Sequence, residues 1–410
     1  MGDSQASSEV ETSERPASRL KLHGFWDNRS GFRIRDDAVQ SKTATLGESR
    51  LQLDARVDGD RASFEFIGDL IYDAAFDRVE DDIRFLRLTW PVTDSLDLRI
   101  GRQVLTWGVG DLLFINDLFP KDWVAFLSGR DVEYLKAPSD SLRVGWYNDA
   151  VNVELVYTPR FAPDRFPTGD RFSYYSPLAG GLAGADDPVR YHAPHDYFDD
   201  DEIALRLYRN VGAWEVAAYA YRGYWKSPGG QTLLPPRATF PELSVYGASA
   251  RGPLGPGILS AELGYYDSRE DRGGNDPFVN NDELRTLLGY EFEAGKEFTI
   301  GVQHYMEWMQ DYGDYRRTLP FFVPARDEFR HLFTVRFTKM LMNQNLMLSL
   351  FTFYSPSDAD AYLRPTATYK INDAWQIFGG ANIFLGRERT TFFGQFEDNS
   401  NVYAGARFSF

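Results

Sequence analysis

Hydrophobic and polar residues alternate along most of this chain with a period of two. The last ten residues show it most plainly. Val402, Ala404, Ala406, Phe408 and Phe410 fall on one face, and Asn401, Tyr403, Gly405, Arg407 and Ser409 on the other. Arg50 to Val57 repeats the pattern, with Leu51, Leu53, Ala55 and Val57 opposite Arg50, Gln52, Asp54 and Arg56. Trp214 to Tyr221, Ser260 to Tyr265, Phe298 to Gln303 and Arg330 to Phe337 read the same way. These are strands with one apolar and one polar face. No stretch has the continuous apolar run of a buried parallel strand, and no 3.6-residue period of helical length stands out.

Two kinds of connection separate the alternating stretches. Short turns rich in Gly, Asn and Asp fall at 58–60, 91–95, 148–150, 210–212, 252–257, 293–296, 342–344 and 372–373. Mostly longer polar segments fall at 27–45, 73–81, 107–131, 159–199, 225–240, 269–281, 311–326, 355–360 and 387–399. The two kinds alternate without exception. Eight turns and nine loops make seventeen connections and therefore eighteen strands. Short turns at one end and long loops at the other are the asymmetry of a transmembrane β-barrel. An even strand count puts both termini at the turn end, which in an outer membrane is the periplasmic end. The expected fold is all-β: a closed antiparallel barrel over 20–410. Residues 1–19, polar and rich in Ser and Glu, read as a flexible periplasmic tail. Met1-Gly-Asp-Ser enters that stretch with no apolar core of a signal peptide, as in a mature sequence given a start codon.

Composition supports the barrel once the pattern is known. The chain has 410 residues and is only 43% hydrophobic. Barrel strands need apolar residues only at alternate positions, so a mean hydropathy of −0.41 fits. Aromatic residues reach 15%, enough for girdles at both membrane interfaces. The absence of cysteine removes disulfides and thiolate chemistry, and a net charge of −16 argues against nucleic acid as a partner. The pattern Tyr403-x-Gly405-x-x-Phe408-x-Phe410 resembles the C-terminal sorting signal of bacterial outer-membrane proteins.

With Phe410 towards lipid, the opposite parity faces the lumen. Arg50, Arg56, Arg330, Arg336, Arg364, Lys370 and Arg407 then line one basic sector. Glu65, Asp69, Glu154, Glu215, Glu262, Glu291 and Glu307 are scattered around the rest. Such a wall is either an electrostatic track for a charged solute or a self-neutralising network that stiffens the barrel. Charged side chains must face inwards in any barrel, because each costs roughly 2–4 kcal/mol at the lipid face.

The stretch Gly101 to Trp123 breaks this rhythm. After Trp107-Gly108 it carries Val109, Leu112, Leu113, Phe114, Ile115, Leu118 and Phe119, too apolar for a solvated loop. It is expected to fold into the barrel and narrow it, with Trp107, Asp111, Asp117, Asp122 and Trp123 in the constriction. Strict parity puts Arg102 outward, and a β-bulge near Gly101 would turn it in. The Gly-Arg-Gln…Trp-Gly…Asp…Pro-x-Asp pattern resembles the alginate-export-type porins and related barrels. That resemblance implies eighteen strands and an arginine-lined path through Arg99, Arg102, Arg143, Arg336 and Arg364.

No catalytic constellation emerges. His304 and His331 fall on adjacent strands but point outward, and no Gly-x-Ser-x-Gly occurs in a strand–helix context. One loop is dense in oxygen and nitrogen ligands: His192, His195, Asp199 and Asp201, within the acidic run 186–202. It reads either as a Ca²⁺ or other divalent-cation site or as a solvated acidic loop.

These features predict a non-enzymatic, cofactor-free channel in the outer membrane of a Gram-negative bacterium. It would pass a small anionic or zwitterionic organic solute. Its partners would be outer-membrane lipid and lipopolysaccharide. The alternatives are an export conduit for a polyanion or lipid-like product with a periplasmic partner, and a structural or adhesion barrel whose external loops bind a ligand.

Overall fold

The computed structural model describes residues 19–177, 179–321 and 323–410. The expected tail at 1–18 lies outside them, and Arg19, assigned to that tail, begins the first strand. The eighteen barrel strands run in chain order. They are β1 (Arg19–Arg33), β2 (Ala44–Asp58), β3 (Ser63–Asp73), β4 (Arg78–Thr93), β5 (Leu96–Val104) and β6 (Pro138–Trp146). Then come β7 (Asn152–Thr158), β8 (Glu202–Val211), β9 (Trp214–Tyr224), β10 (Glu242–Leu254), β11 (Gly257–Ser268) and β12 (Glu283–Gly295). The last are β13 (Phe298–Met309), β14 (Phe329–Leu341), β15 (Leu346–Ser355), β16 (Asp360–Lys370), β17 (Trp375–Gly386) and β18 (Asn401–Ser409). Each pairs antiparallel with its neighbour.

β18 pairs with β1 from Phe25↔Ser409 to Arg33↔Asn401 and closes the sheet. At the seam the backbone N–H groups of Gly24 and Phe410 each donate to the other's carbonyl at 3.0 Å. A Cβ at Gly24 would stand 2.5 Å from the Gln52 carbonyl oxygen and 2.7 Å from Cζ of Phe410, so this close backbone approach requires glycine.

The outer face is apolar. Leu20, Leu22, Trp26, Phe64, Leu88, Ile100, Val302, Phe333, Val402 and Phe410 are exposed on it. Trp90, Trp146 and Trp375 mark the turn end of this belt, and Tyr72, Phe329 and Tyr354 the loop end. This is the surface that a hydrocarbon solvent selects, with every strand edge paired.

Two expectations are corrected. The segment 27–45 is not all loop: β1 continues to Arg33. Its outward positions pass through Asn28 and Ser30 between Trp26 and Phe32, and these small polar residues hide the alternation. The inward-folding segment is also longer than 107–131. It fills the whole connection 105–137, with one short helix, α1 (Trp123–Ser128), and a 3₁₀ turn at Val132–Leu135.

Candidate solute pathway and constriction loop

The segment 105–137 enters the barrel because its apolar side chains find the inward faces of the wall. Leu105, Trp107, Leu113, Ile115, Phe119, Phe126, Leu127 and Leu135 are buried in one cluster with Tyr219, Tyr266, Leu287, Tyr305, Phe351, Phe353, Tyr362 and Phe384. Phe126 of α1 packs edge-on against Tyr362 at 5.7 Å and Phe353 at 6.4 Å. Asp122 caps α1 by accepting the Ala125 N–H at 2.7 Å.

Polar contacts fix this first half to the wall, to itself and to the neighbouring loop 159–201. Glu262 on β11 accepts the N–H groups of Val109 at 2.9 Å and Asn116 at 2.8 Å, and the Asn116 amide at 2.9 Å. Gly108, at φ +82°, makes room for that carboxylate: a Cβ there would lie 2.8 Å from Oε1. Asp111 receives a bidentate pair from Arg336 at 2.6 and 2.8 Å. The Trp107 indole donates to Glu154 at 2.9 Å, and Asp117 holds the Lys121 ammonium at 3.0 Å. The Trp123 indole donates to Asp164 at 3.0 Å.

The second half meets the basic sector on β18, β1, β2 and β16. Asp131 pairs with Arg29 at 2.9 Å and Arg407 at 2.5 Å. Arg130 pairs with Glu48 at 2.5 Å and lends its carbonyl to Arg364 at 2.7 Å. Arg50 and Arg84 stack on Tyr134 at 4.1 and 4.5 Å, and Arg50 also pairs with Asp69 at 2.5 Å. Burial pushes the Asp131 carboxyl up, but the Arg29 and Arg407 guanidiniums outweigh it and hold the group at about 2. Burial, aided by Asp131, raises Glu133.

The predicted arginines therefore divide into groups. Arg50 and Arg364 face inward but are buried beneath the loop as its tethers, and Arg407 is a third, partly exposed tether. Arg143 is buried on Glu154 at 2.5 Å, and Arg330 is held by Asp358 at 2.6 Å. Arg99 and Arg336 keep partial exposure, at 34% and 27% of the side chain. Arg56 and Lys370 stand exposed at the turn-end rim. Arg102 is a correction: β5 keeps its register through Gly101 without a bulge. Arg102 opposes the outward Leu86 and binds Asp140 on the outer wall at 2.8 and 2.9 Å.

Trp107, Asp111, Asp117, Asp122 and Trp123 all lie on the inward segment 105–137. Arg29, Glu48, Arg87, Arg130, Tyr134 and Arg206 were missed. Alternation counted from Trp26 and Phe32 reaches Arg29, and alternation counted from Leu51 reaches Glu48.

The external ligand cluster does not assemble. Among the described residues no three His, Asp or Glu are grouped to hold a metal ion. His192 and His195 stand 6.1 Å apart, and Asp200 is turned to the N–H groups of His195 and Asp196. His304 and His331 face outward, hydrogen-bonded to each other at 3.1 Å.

No protein-family model matches the chain, and no curated protein matches it. Solved structures of outer-membrane porins do. OccAB3 of Acinetobacter baumannii aligns at a TM-score of 0.56 and 10% identity, over 95% of this chain and 99% of that one. OccD3 (OpdP) of Pseudomonas aeruginosa gives 0.55 and 9%, over 95% and 91%. OccK11 (OpdR) of Pseudomonas aeruginosa gives 0.51 and 10%, over 95% and 94%. At these identities the likeness is one of fold, and the fold is that of an eighteen-stranded outer-membrane porin barrel.

Proposed function

We propose that the chain is a passive, selective channel of a Gram-negative outer membrane, with its turn end and both termini in the periplasm. The observation that carries this reading is the long segment 105–137, held inside a lipid-belted barrel and narrowing it. The turn-end half of the lumen keeps guanidiniums with access to water: Arg56, Arg87, Arg99, Arg206 and Arg336. Each stands beside a carboxylate, among them Glu65, Asp97, Glu215 and Asp111. Guanidiniums with access to water, each beside a carboxylate, suit a small organic anion or a zwitterion whose two ends meet both signs.

The test is single-channel conductance and reversal potential in a planar bilayer under a KCl gradient. An open channel with anion preference that weakens in Arg99→Ala and Arg336→Ala supports the reading. No conductance, even after deletion of 109–122, overturns it. That result would leave the structural or adhesion barrel, which the close packing of Ile115, Phe126 and Leu135 favours. An export conduit for a polyanion, like the alginate-export-type barrels, needs unpaired arginines along the bore. Arg50, Arg143, Arg364 and Arg407 are each already engaged, so this reading stands behind the solute channel.

A further inference from the structure

A cavity of about 450 Å³ lies on the flank of the barrel, where β5 ends and β6 begins and the loop 159–201 overhangs them. Its size is that of a small-ligand site. The outward Arg102–Asp140 pair forms its floor, one register step above Leu142, which opposes Tyr157 at the loop end of the apolar belt. The cavity therefore opens where headgroups meet water, outside the bore.

Its charges are unequally committed. Arg102 is neutralised by Asp140 in a bidentate pair. Arg165 is tied to Asp82 at 2.7 Å and Asp122 at 3.2 Å. Asp164 accepts the Lys121 N–H at 2.7 Å, the Trp123 indole at 3.0 Å and the Ser227 hydroxyl at 2.7 Å. Arg160 alone has no carboxylate at ion-pair distance among the described residues; its guanidinium lies 4.7 Å over the exposed Tyr197 ring. Across the cavity the exposed Tyr191 ring packs on Phe166 at 5.4 Å. The site thus offers one uncommitted guanidinium fork, pre-stacked on an aromatic ring, beside further ring faces. A fork suits a phosphate, and flat apolar rings suit the face of a pyranose.

We propose that this flank cavity binds a phosphorylated saccharide, the chemistry displayed by the lipopolysaccharide headgroup of the outer leaflet and by free sugar phosphates. Arg160 holds the phosphate, and Tyr197 and Tyr191 flank the sugar. The placement relative to headgroups rests on the outer-membrane reading above. Position at the belt's edge favours the lipid-anchored source.

The experiment uses the full chain folded in detergent micelles. Heat-modifiable electrophoretic mobility first checks that a barrel has formed, so failure of the barrel reading is seen separately. Three probes are then titrated by native mass spectrometry: intact lipopolysaccharide, the same material dephosphorylated, and glucosamine 6-phosphate. The expected result is a one-to-one complex with intact lipopolysaccharide, weakened about tenfold or more by dephosphorylation and by Arg160→Ala, and partly restored by Arg160→Lys. Tyr197→Ala should weaken it less. Arg160 and Tyr197 are exposed, so both variants should fold. Binding of glucosamine 6-phosphate at least as tight as that of lipopolysaccharide, with the same dependence on Arg160, supports the site and assigns it a soluble ligand. Binding indifferent to Arg160→Ala and Tyr197→Ala overturns the proposal, as does binding of neither lipopolysaccharide nor glucosamine 6-phosphate by a folded barrel.

Discussion

The two halves of the constriction loop are held in different ways. Residues 105–128 are fastened mainly by burial: Trp107, Ile115, Phe119 and Phe126 enter an aromatic cluster on the far wall. Residues 129–136 are fastened by charge: Asp131 sits between Arg29 and Arg407, and Arg130 on Glu48. Apolar packing is stable whatever the ionic conditions, whereas a buried ion pair depends on both partners being present and charged. The difference predicts an apolar hinge that stays in place and an ionic edge that can be released.

The largest effect should come from the apolar half. Phe126 is 2% exposed, and Phe126→Ala should cost about 3–5 kcal/mol as a cavity opens against Tyr362 and Phe353. A lowered urea midpoint of tryptophan fluorescence in micelles would register it, with larger and noisier channel currents. An unchanged midpoint would mean that α1 is not what anchors the loop.

The ionic half should respond differently. Among the described residues Glu48 is the only carboxylate on Arg130, so Glu48→Gln leaves a buried guanidinium uncompensated. We expect a loss of about 3 kcal/mol, and a smaller loss in the double variant Glu48→Gln/Arg130→Met, where no lone charge remains. A double variant as unstable as the sum of the single variants would contradict the ionic account. The first half has a polar tether of its own in Glu262, which accepts three N–H groups from the loop. Glu262→Gln turns an amide donor towards one of them and should cost about 1–3 kcal/mol. Its signature is local: faster hydrogen exchange at Val109 and Asn116, with the rest of the barrel unaffected.

The strands and their number were legible because lipid imposes a strict two-residue period on the outer wall. Legibility failed where that pressure relaxed. Asn28 and Ser30 are outward but small and polar, so β1 was cut short at Trp26 and Arg29 was lost. The inward fold of the loop could be read from Val109 to Phe119, which no solvated segment would carry. Its ionic half was not readable. Parity tells which way Arg50, Arg364 or Arg407 points, but not that Tyr134, the Arg130 carbonyl and Asp131 will meet them from a loop distant in sequence. A basic track inferred from parity thus became largely a set of tethers. Arg102, which the alginate-export resemblance placed in the bore, stayed outside because the strand register outranks the motif.

The smallest expected effect is the one that isolates the ionic edge. Asp131 carries a carboxyl held at about 2, below its ordinary 3.8. A carboxyl depressed in the folded state contributes stability that is fully present above its unfolded value and is lost as pH falls through the folded value. The tether of Asp131 to Arg29 and Arg407 should therefore hold above about pH 4 and loosen between pH 4 and pH 2. The group is half-buried, so solvent screening keeps the effect modest. In bilayers stepped from pH 5 to pH 2, mean conductance should rise in the native chain as the edge at 129–136 lifts away from the basic sector. Asp131→Asn should show the raised conductance already at pH 5 and a flatter dependence below it. The Phe126 ring meets Trp123, Phe353, Tyr362 and Arg364 and no carboxylate, so Phe126→Ala should shift the whole curve without changing its shape. If Asp131→Asn keeps the native pH dependence, the acid response belongs to another carboxylate, and the division into a fixed apolar hinge and a releasable ionic edge fails.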